Sequence, residues 1–295
     1  MEYKGLNIIE GKNKIEVSGI KDFNPTHIFE CGQCFRWNRQ DDGSFTGVAK
    51  NRVIKVRMND DKLEIENSDT KDFIDIWYDY FDLGTDYSAI KEKLKKDVIL
   101  KEAVEFGYGM RILRQDIWET LMSFILSANN RIPMIMRTVD SIAKRFGEKV
   151  EFDGKLYYLF PESSTLAKTD VKALQICGGG FRCKYLDKTI KMVNDGIVDL
   201  TGIENMDTDA ARNELKRFPG VGNKVADCTL LYSAGKHEVF PTDVWVKRIM
   251  EFLYFGREAT MNEIQVFSKE AFGGLAGYAQ QYLFYYAREN RLGCD

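Results

Sequence analysis

The spacing of apolar residues changes along the chain and divides it into two parts. In "NRVIKVRMNDDKLEIEN", residues 51–67, apolar and polar residues alternate on both sides of an Asn59-Asp60-Asp61 turn. This period of two predicts a pair of antiparallel strands with one face in water. A second hairpin is predicted in "FRWNRQDDGSFTGVAK", where Asp42-Gly43 forms the turn. Short helices are predicted to follow at residues 71–83 and 87–97.

From about Met110 the apolar residues recur with a helical period. In "DIWETLMSFILSANN", residues 116–130, they fall on one face of a helix, and Asp116 and Glu119 have the spacing of a capping box. Comparable patterns predict helices at residues 132–147, 184–197, 209–218, 224–235, 243–255 and 275–290. The sequence therefore predicts an α+β fold. An N-terminal antiparallel β domain spans residues 1–108, and a larger all-helical region spans residues 109–295.

Composition adds limits to this picture. The chain of 295 residues is long enough for two domains and has no apolar run of membrane-spanning length. Its first residues, "MEYKGLNIIEGKNKIEVSGI", mix charges with apolar residues and do not form a signal peptide, so we expect an intracellular protein. The chain has six cysteines and two histidines, and its Cys31-x-x-Cys34 segment has no second CxxC to complete a zinc site. We therefore expect reduced structural thiols, no metal site and no cofactor.

The net charge of −3 argues only mildly against nucleic-acid binding, because residues 215–250 are locally basic. Within them, "FPGVGNKVADC" places Gly220 and Gly222 in a tight turn between two predicted helices. Such a turn leaves backbone N–H groups free at a helix start, where they can bind a phosphate without reading sequence. The alternative is a plain helix-joining turn, since glycine commonly ends a helix.

Lys224 lies at the start of the second of these helices. The positive end of a helix disfavours the charged form of lysine, and a neutral amine can attack carbon and form a Schiff base. Asp243 follows Pro241-Thr242 and precedes a helical pattern, so it is a candidate N-cap. A carboxylate there can also stabilise positive charge at a reaction centre, and the pair suits cleavage of an N-glycosidic bond. The alternative for Lys224 is a solvated surface side chain.

These residues carry a family resemblance. "LKRFPGVGNKVADC" with "VFPTDVWVKRI" resembles the helix-hairpin-helix–Gly/Pro–Asp motif of base-excision DNA glycosylases, and Lys224 resembles the lysine of bifunctional glycosylase/lyases. "CGQCFRW", "GMRILRQDIWETLMSFILSANNRI", "GGGFRCKY" and "AGYAQQYLF" are similar to segments of 8-oxoguanine DNA glycosylases, in the same order and over most of the chain. The resemblance implies a β domain and two helical subdomains with the active site in their cleft.

The same resemblance implies a function and its partners. The protein would be a monomer that excises 8-oxoguanine from double-stranded DNA and nicks the abasic strand, in the nucleoid of a bacterium or the nucleus of a eukaryote. It would need no cofactor. The sequence near the C-terminus holds only Cys294, so the four-cysteine iron–sulfur site of related endonucleases is missing.

Catalytic and base-binding roles follow from the matched motifs. Lys224 would be the nucleophile and Asp243 the catalytic carboxylate. Gly32 would offer its carbonyl to the N7–H that oxidation adds to guanine, because an ordinary guanine N7 would repel it. The flipped base would be held by residues that are otherwise candidates for the core or the surface: Phe284 and Cys228 as a sandwich, and Gln280 on its Watson–Crick edge.

DNA-contacting roles also follow, with three departures from the family pattern. Asn129 would fill the gap in the duplex, Phe181 would wedge the strand, and Arg182 would bind the orphaned cytosine, while Gly220 and Gly222 hold the backbone. The departures are Met134 where eukaryotic members carry a second cytosine-reading arginine, Phe181 in place of tyrosine, and Trp245 in place of a phosphate-contacting histidine. We therefore expect relaxed opposite-base preference.

Two other functions compete with this one. An alkylated-base glycosylase of the same superfamily would cleave by water attack, but Lys224 and "CGQCFRW" weigh against it. A non-catalytic helix-hairpin-helix module would bind DNA without chemistry, but Asp243 and the extent of the resemblance weigh against that.

Overall fold

The N-terminal part of the chain forms one antiparallel sheet in the computed structural model, which describes residues 1–293; Cys294 lies outside the described residues. Within them the sheet has seven strands in the order β1-β2-β3-β7-β6-β5-β4. The strands are β1 (Glu2–Tyr3), β2 (Leu6–Gly11), β3 (Lys14–Ser18), β4 (Trp37–Arg39), β5 (Phe45–Ala49), β6 (Arg52–Asn59) and β7 (Lys62–Glu66). Both predicted hairpins, β4–β5 and β6–β7, are confirmed.

Alternating burial explains why these segments pair. Val56 of β6 lies opposite Ile65 of β7, which also lies opposite Ile15 of β3, and all three side chains have no exposed surface. The charged residues between them lie on the other face, where Lys14 bonds Glu64 at 2.6 Å. One face of the sheet therefore builds a core and the other faces water.

Helices make up most of the remainder. Their bounds are α1 (Pro25–Phe29), α2 (Thr70–Asp72), α3 (Tyr78–Tyr80), α4 (Tyr87–Leu94), α5 (Val98–Phe106), α6 (Ile117–Leu126), α7 (Ile132–Phe146), α8 (Ser163–Leu166), α9 (Val171–Ile176), α10 (Cys183–Asn194), α11 (Thr208–Leu215), α12 (Asn223–Ser233), α13 (Val244–Met250), α14 (Met261–Phe272) and α15 (Ala276–Glu289). Residues 73–77 and 251–255 continue α2 and α13 as π-helical turns.

Two sequence expectations need correction here. The region predicted to be all helical contains a two-stranded hairpin, β8 (Lys149–Phe152) and β9 (Lys155–Tyr158), which packs Phe152 against Val48 and Val53 of the main sheet. The capping box of α6 is only half formed. Asp116 accepts a hydrogen bond from the Glu119 N–H at 2.9 Å, but the Glu119 carboxylate lies 3.9 Å from Arg36 instead of returning to the cap.

Besides the small cluster around Phe152, the described residues form two large hydrophobic cores. The first lies beneath the sheet and is closed by the segment around Trp77. The second unites the helices from α4 onward, with α6 against α12 and α5 against α15. The domain boundary at residue 108 stays a prediction. Among the described residues every helix is too short or too polar to span a lipid bilayer.

Candidate active site

The side chain of Lys224 points into the protein. It is the second residue of α12, and its Nζ donates a hydrogen bond to Ser127 Oγ at 3.0 Å. The amine also lies 5.1 Å from the centre of the Phe124 ring. Ser127 in turn donates to the carbonyl of Phe124 at 2.7 Å. The side chain is thus held over an aromatic ring at the junction of α6 and α12.

Cys228 lies one turn after Lys224 on the same helix and is almost fully buried. Burial raises the pKa of its thiol to about 12, while the Lys224 charge acts to lower that pKa and the Asp243 charge acts to raise it. Both charges therefore reach the thiol, which stays protonated at neutral pH. Lys224, Cys228 and Asp243 lie around one site.

Asp243 is the N-cap of α13, as expected from the sequence. Its Oδ1 accepts a hydrogen bond from the Val246 N–H at 2.9 Å. Gln265 of α14 fixes the preceding segment, because its Nε2 donates to the carbonyl of Phe240 at 2.8 Å and to Thr242 Oγ1 at 2.9 Å. Sequence reasoning missed Gln265, since no motif ties a residue of α14 to this cap.

Gly32 lies directly against Phe284 of α15. Its φ of +88° is in the left-handed region, and a Cβ there would lie 3.2 Å from the Phe284 ring, 3.2 Å from Ile132 and 3.1 Å from Arg288. The backbone conformation therefore favours glycine, and a Cβ would also require these side chains to shift by a few tenths of an ångström. Residues at opposite ends of the chain meet here.

Gln280 lies on the same helix as Phe284 and exposes only 4% of its surface. Its side-chain oxygen is buried and has no hydrogen-bond partner among residues 1–293. A buried acceptor left unpaired costs about 1–3 kcal/mol, so this oxygen is suited to a donor brought by a ligand.

An aromatic stack lies between the lysine and the Gly32 loop. Phe124 stacks on Tyr232 of α12 with 5.4 Å between ring centres and an interplanar angle of 23°. On its other side Phe124 meets Phe35 edge-on at 5.4 Å. All three rings are buried. The sequence had placed Phe124 on the apolar face of a helix and had assigned no role to Phe35 or Tyr232.

Asn129, Phe181 and Arg182 come together on one surface. Arg182 donates through Nε to the carbonyl of Ala128 and through Nη2 to that of Asn129, both at 2.6 Å. Its guanidinium lies 4.5 Å from the Phe181 ring, and burial lowers its pKa. Phe181 is 55% exposed, and Asn129 is exposed with a φ of +47°. The loop between α6 and α7 and the one before α10 are thus joined by hydrogen bonds.

The two hairpin glycines differ in their surroundings. Gly220 has a φ of +80°, and a Cβ on it would lie 2.7 Å from the Tyr185 ring, whereas Gly222 has open space and begins α12 as an N-cap without a side chain. The first N–H groups of α12 are therefore available for an anion. Trp245 and Met134 are 47% and 43% exposed on α13 and α7.

The described residues contain no group of three or more His, Cys, Asp or Glu side chains that could hold a metal ion. A sheet followed by helices, with an inward lysine after a glycine hairpin and a capping aspartate close by, defines the helix-hairpin-helix class of DNA glycosylases.

Comparisons with known proteins place the chain within that class. Residues 15–121 match the family model "8-oxoguanine DNA glycosylase, N-terminal domain". A probable N-glycosylase/DNA lyase of Methanothermobacter thermautotrophicus is 32% identical over 232 residues, which are 72% of each chain. The chain belongs to the 8-oxoguanine DNA glycosylase/lyase family. The resemblance seen in the sequence is confirmed.

Solved structures agree over nearly the whole length. MBOgg1 in complex with a low-affinity DNA ligand has a TM-score of 0.95 and 51% identity, with 97% of this chain and 99% of that one covered. The 8-oxoguanine glycosylase/lyase of Clostridium acetobutylicum, bound to DNA with cytosine opposite 8-oxoguanine, has a TM-score of 0.95 and 44% identity over 97% and 98%. A 3-methyladenine DNA glycosylase of Archaeoglobus fulgidus, with 22% identity and a TM-score of 0.74 over 88% and 95%, shares the fold.

Proposed function

We propose that this protein excises 8-oxoguanine from double-stranded DNA and then nicks the strand at the resulting abasic site. The observation that supports it best is the shared environment of three groups. The charges of Lys224 and Asp243 both act on the buried Cys228 thiol, and the lysine amine is held in place by Ser127. Family membership supports the same activity.

Lys224 and Asp243 divide the chemistry. The Nζ of Lys224 attacks C1′, and the electron pair of the C1′–N9 bond leaves with the base, which takes up a proton released from the attacking nitrogen. Asp243 stabilises the positive charge that develops on the sugar. Opening of the sugar ring gives a Schiff base between Nζ and C1′. Loss of the C2′ proton then expels the 3′ phosphate with its bonding electrons, which breaks the strand.

The base pocket is formed by α12, α15 and the Gly32 loop. Phe284 and Cys228 stack on the two faces of the flipped base, and the protonated thiol adds no charge there. Gln280 bonds the Watson–Crick edge through the amide whose oxygen has no partner among the described residues. Gly32 accepts a hydrogen bond from N7–H, the group that distinguishes 8-oxoguanine from guanine.

The duplex lies across the exposed elements around this pocket. Asn129 occupies the space left by the flipped base, and Phe181 wedges the strand beside it. The hairpin of Gly220 and Gly222 binds backbone phosphates of one DNA strand through the free N–H groups of α12. Trp245 contacts the same DNA strand. Asn129 touches the orphaned cytosine, and Arg182 binds it.

Borohydride trapping tests the mechanism. Wild-type protein, incubated with a duplex that contains 8-oxoguanine opposite cytosine, is expected to form a covalent complex on reduction. Lys224→Gln is expected to bind the same duplex with similar affinity and to form none. Undiminished trapping by that variant would mean that another amine is the nucleophile, and absence of trapping by the wild type would refute the lyase activity itself.

A further inference from the structure

Two side chains of α15 hold the backbone just before Gly32. Gln281 Nε2 donates to the carbonyl of Cys31 at 3.0 Å, and Arg288 Nη2 donates to the carbonyl of Glu30. The carbonyl of Gly32 itself accepts no hydrogen bond from any residue of the described chain. The carbonyls of Glu30 and Cys31 are thus bonded from one helix, and the next carbonyl is left available.

Gln281 is itself held by a third residue. The hydroxyl of Tyr232 donates to Gln281 Oε1, so each end of the buried amide has a partner. Tyr232 and Gln281 are 4% and 1% exposed, and the Tyr232 ring rests on Phe124, which lies beneath the Lys224 amine. A continuous row of contacts therefore connects the nucleophile's surroundings with the Gly32 loop.

Arg288 closes the outer end of this arrangement. Its Nη1 lies 3.1 Å from the position that a Cβ on Gly32 would take, and its guanidinium carbon is 5.6 Å from the Phe284 ring centre. The side chain therefore bridges the Gly32 loop and the stacking wall of the pocket. Tyr232, Gln281 and Arg288 are named here the carbonyl clamp.

We propose that the carbonyl clamp determines specificity by fixing the position of the Gly32 carbonyl, an inference that rests on the proposed function. One hydrogen bond from N7–H separates the lesion from guanine. Its strength depends steeply on distance and angle, so the oxygen must be held still. A mobile loop would weaken the bond to the lesion and would also let the carbonyl turn away from the N7 lone pair of guanine. Both changes reduce discrimination.

The test compares binding to two duplexes that carry 8-oxoguanine or guanine opposite cytosine, each with a 2′-fluoro substituent that prevents cleavage. Variants are Tyr232→Phe, Gln281→Met and Arg288→Gln. Tyr286→Phe is the matched control, because it also removes a tyrosine hydroxyl that bonds one helix to another. This hydroxyl, on α15, donates to Glu102 of α5 at 2.9 Å, away from the pocket. Each clamp variant should lower the ratio of affinities about tenfold, the effect of one hydrogen bond near 1.4 kcal/mol, and the control should not.

A second readout separates specificity from general support of the fold. Cleavage of a preformed abasic site needs Lys224 but no base, so Tyr232→Phe, which keeps the ring on Phe124, should lower this rate much less than it lowers the affinity ratio. The double variant Tyr232→Phe/Gln281→Met should lose no more discrimination than Gln281→Met alone, since the two act in one chain.

Two results would overturn the clamp. One is an unchanged affinity ratio in all three variants, and the other is a parallel loss of lesion binding and abasic-site cleavage. Failure of the proposed function would look different, because the wild-type protein would then show no preference for 8-oxoguanine and no trapping.

Discussion

The amine of Lys224 and the hydroxyl of Ser127 form a hydrogen bond of 3.0 Å across the junction of α6 and α12. Ser127 stands at the end of α6, two residues before Asn129, whose carbonyl is bonded by Arg182. Lys224 is thus connected through a short stretch of backbone to the loop that carries Asn129. Movement of that loop on DNA would also move Ser127 and change its hydrogen bond to the amine.

Ser127→Ala should slow Schiff-base formation by about 2- to 10-fold, the effect of one hydrogen bond of 0.5–1.5 kcal/mol. Without the hydroxyl the lysine side chain gains rotamers that do not face C1′. The measurement is the single-turnover rate of borohydride trapping over a range of pH. Ser127→Thr retains a hydroxyl and is expected to restore most of the rate. If the alanine variant traps as fast as the wild type, Ser127 does not position the amine.

Asp243→Asn should reduce excision by roughly 10²–10³, the usual effect of removing one preorganised electrostatic stabiliser. Asparagine caps a helix as well as aspartate does, so the hydrogen bond to Val246 can persist while the charge is lost. Single-turnover excision of 8-oxoguanine measures the effect, with thermal unfolding as the control. A folded variant with near-normal excision would leave Asp243 with the cap alone.

Gly220→Ala should lower the free energy of unfolding by about 2–3 kcal/mol. The alanine would have to adopt a left-handed backbone conformation, and its Cβ would displace the Tyr185 ring. Gly222→Ala is the matched control, because Gly222 has an ordinary negative φ and open space around it. This variant should lower the free energy of unfolding by no more than about 1 kcal/mol. Urea unfolding of both variants measures the difference. Equal destabilisation would show that the hairpin rearranges to accommodate either side chain.

The Glu119 carboxyl should make stability depend on pH. Burial raises its pKa from 4.5 to about 7, so the unfolded chain ionises first and the free energy of unfolding falls as pH rises across that interval. Because the side chain is 22% exposed, we expect a loss of about 1–2 kcal/mol. Urea unfolding at about pH 5 and about pH 8 should show this loss in the wild type and a smaller one in Glu119→Gln. Equal slopes would assign the pH dependence to other groups.

Local patterns in the sequence predicted much of this fold. The hairpin of β6 and β7 was predictable because Val56 and Ile65 obey a strict period of two, and the start of α13 because Asp243 precedes an apolar helical run. The β8–β9 hairpin was missed, since its strands are short and expose Leu156, which gives no alternating signal. A local pattern cannot predict a small hairpin that is stabilised by packing against a sheet distant in sequence.

The candidate site was predicted from motifs, and its supporting contacts were not. Lys224 and Gly32 stand in recognisable segments. Tyr232, Gln281 and Ser127 read as a core aromatic, a helical amide and a helix-end serine, and their partners lie up to 250 residues away in the chain. Hydrogen bonds between such distant residues depend on how α6, α12 and α15 pack, which no single segment encodes.

Met134→Arg should sharpen the preference for cytosine opposite the lesion. Paired arginine contacts to a base edge contribute about 1–3 kcal/mol each, but Met134 offers an exposed apolar side chain where a second arginine would act. Arg182 compensates only in part, because two of its five N–H donors already bond the carbonyls of Ala128 and Asn129 and fix the direction of the guanidinium. The wild-type enzyme should therefore excise 8-oxoguanine opposite adenine, guanine or thymine at measurable rates, and the variant should discriminate roughly 10- to 100-fold better.

Single-turnover excision from four duplexes that differ only in the opposite base measures both, with Met134→Leu as the control for loss of shape alone. A cytosine preference of many thousandfold in the wild type would show that Arg182 suffices and that Met134 is not the position that relaxes it.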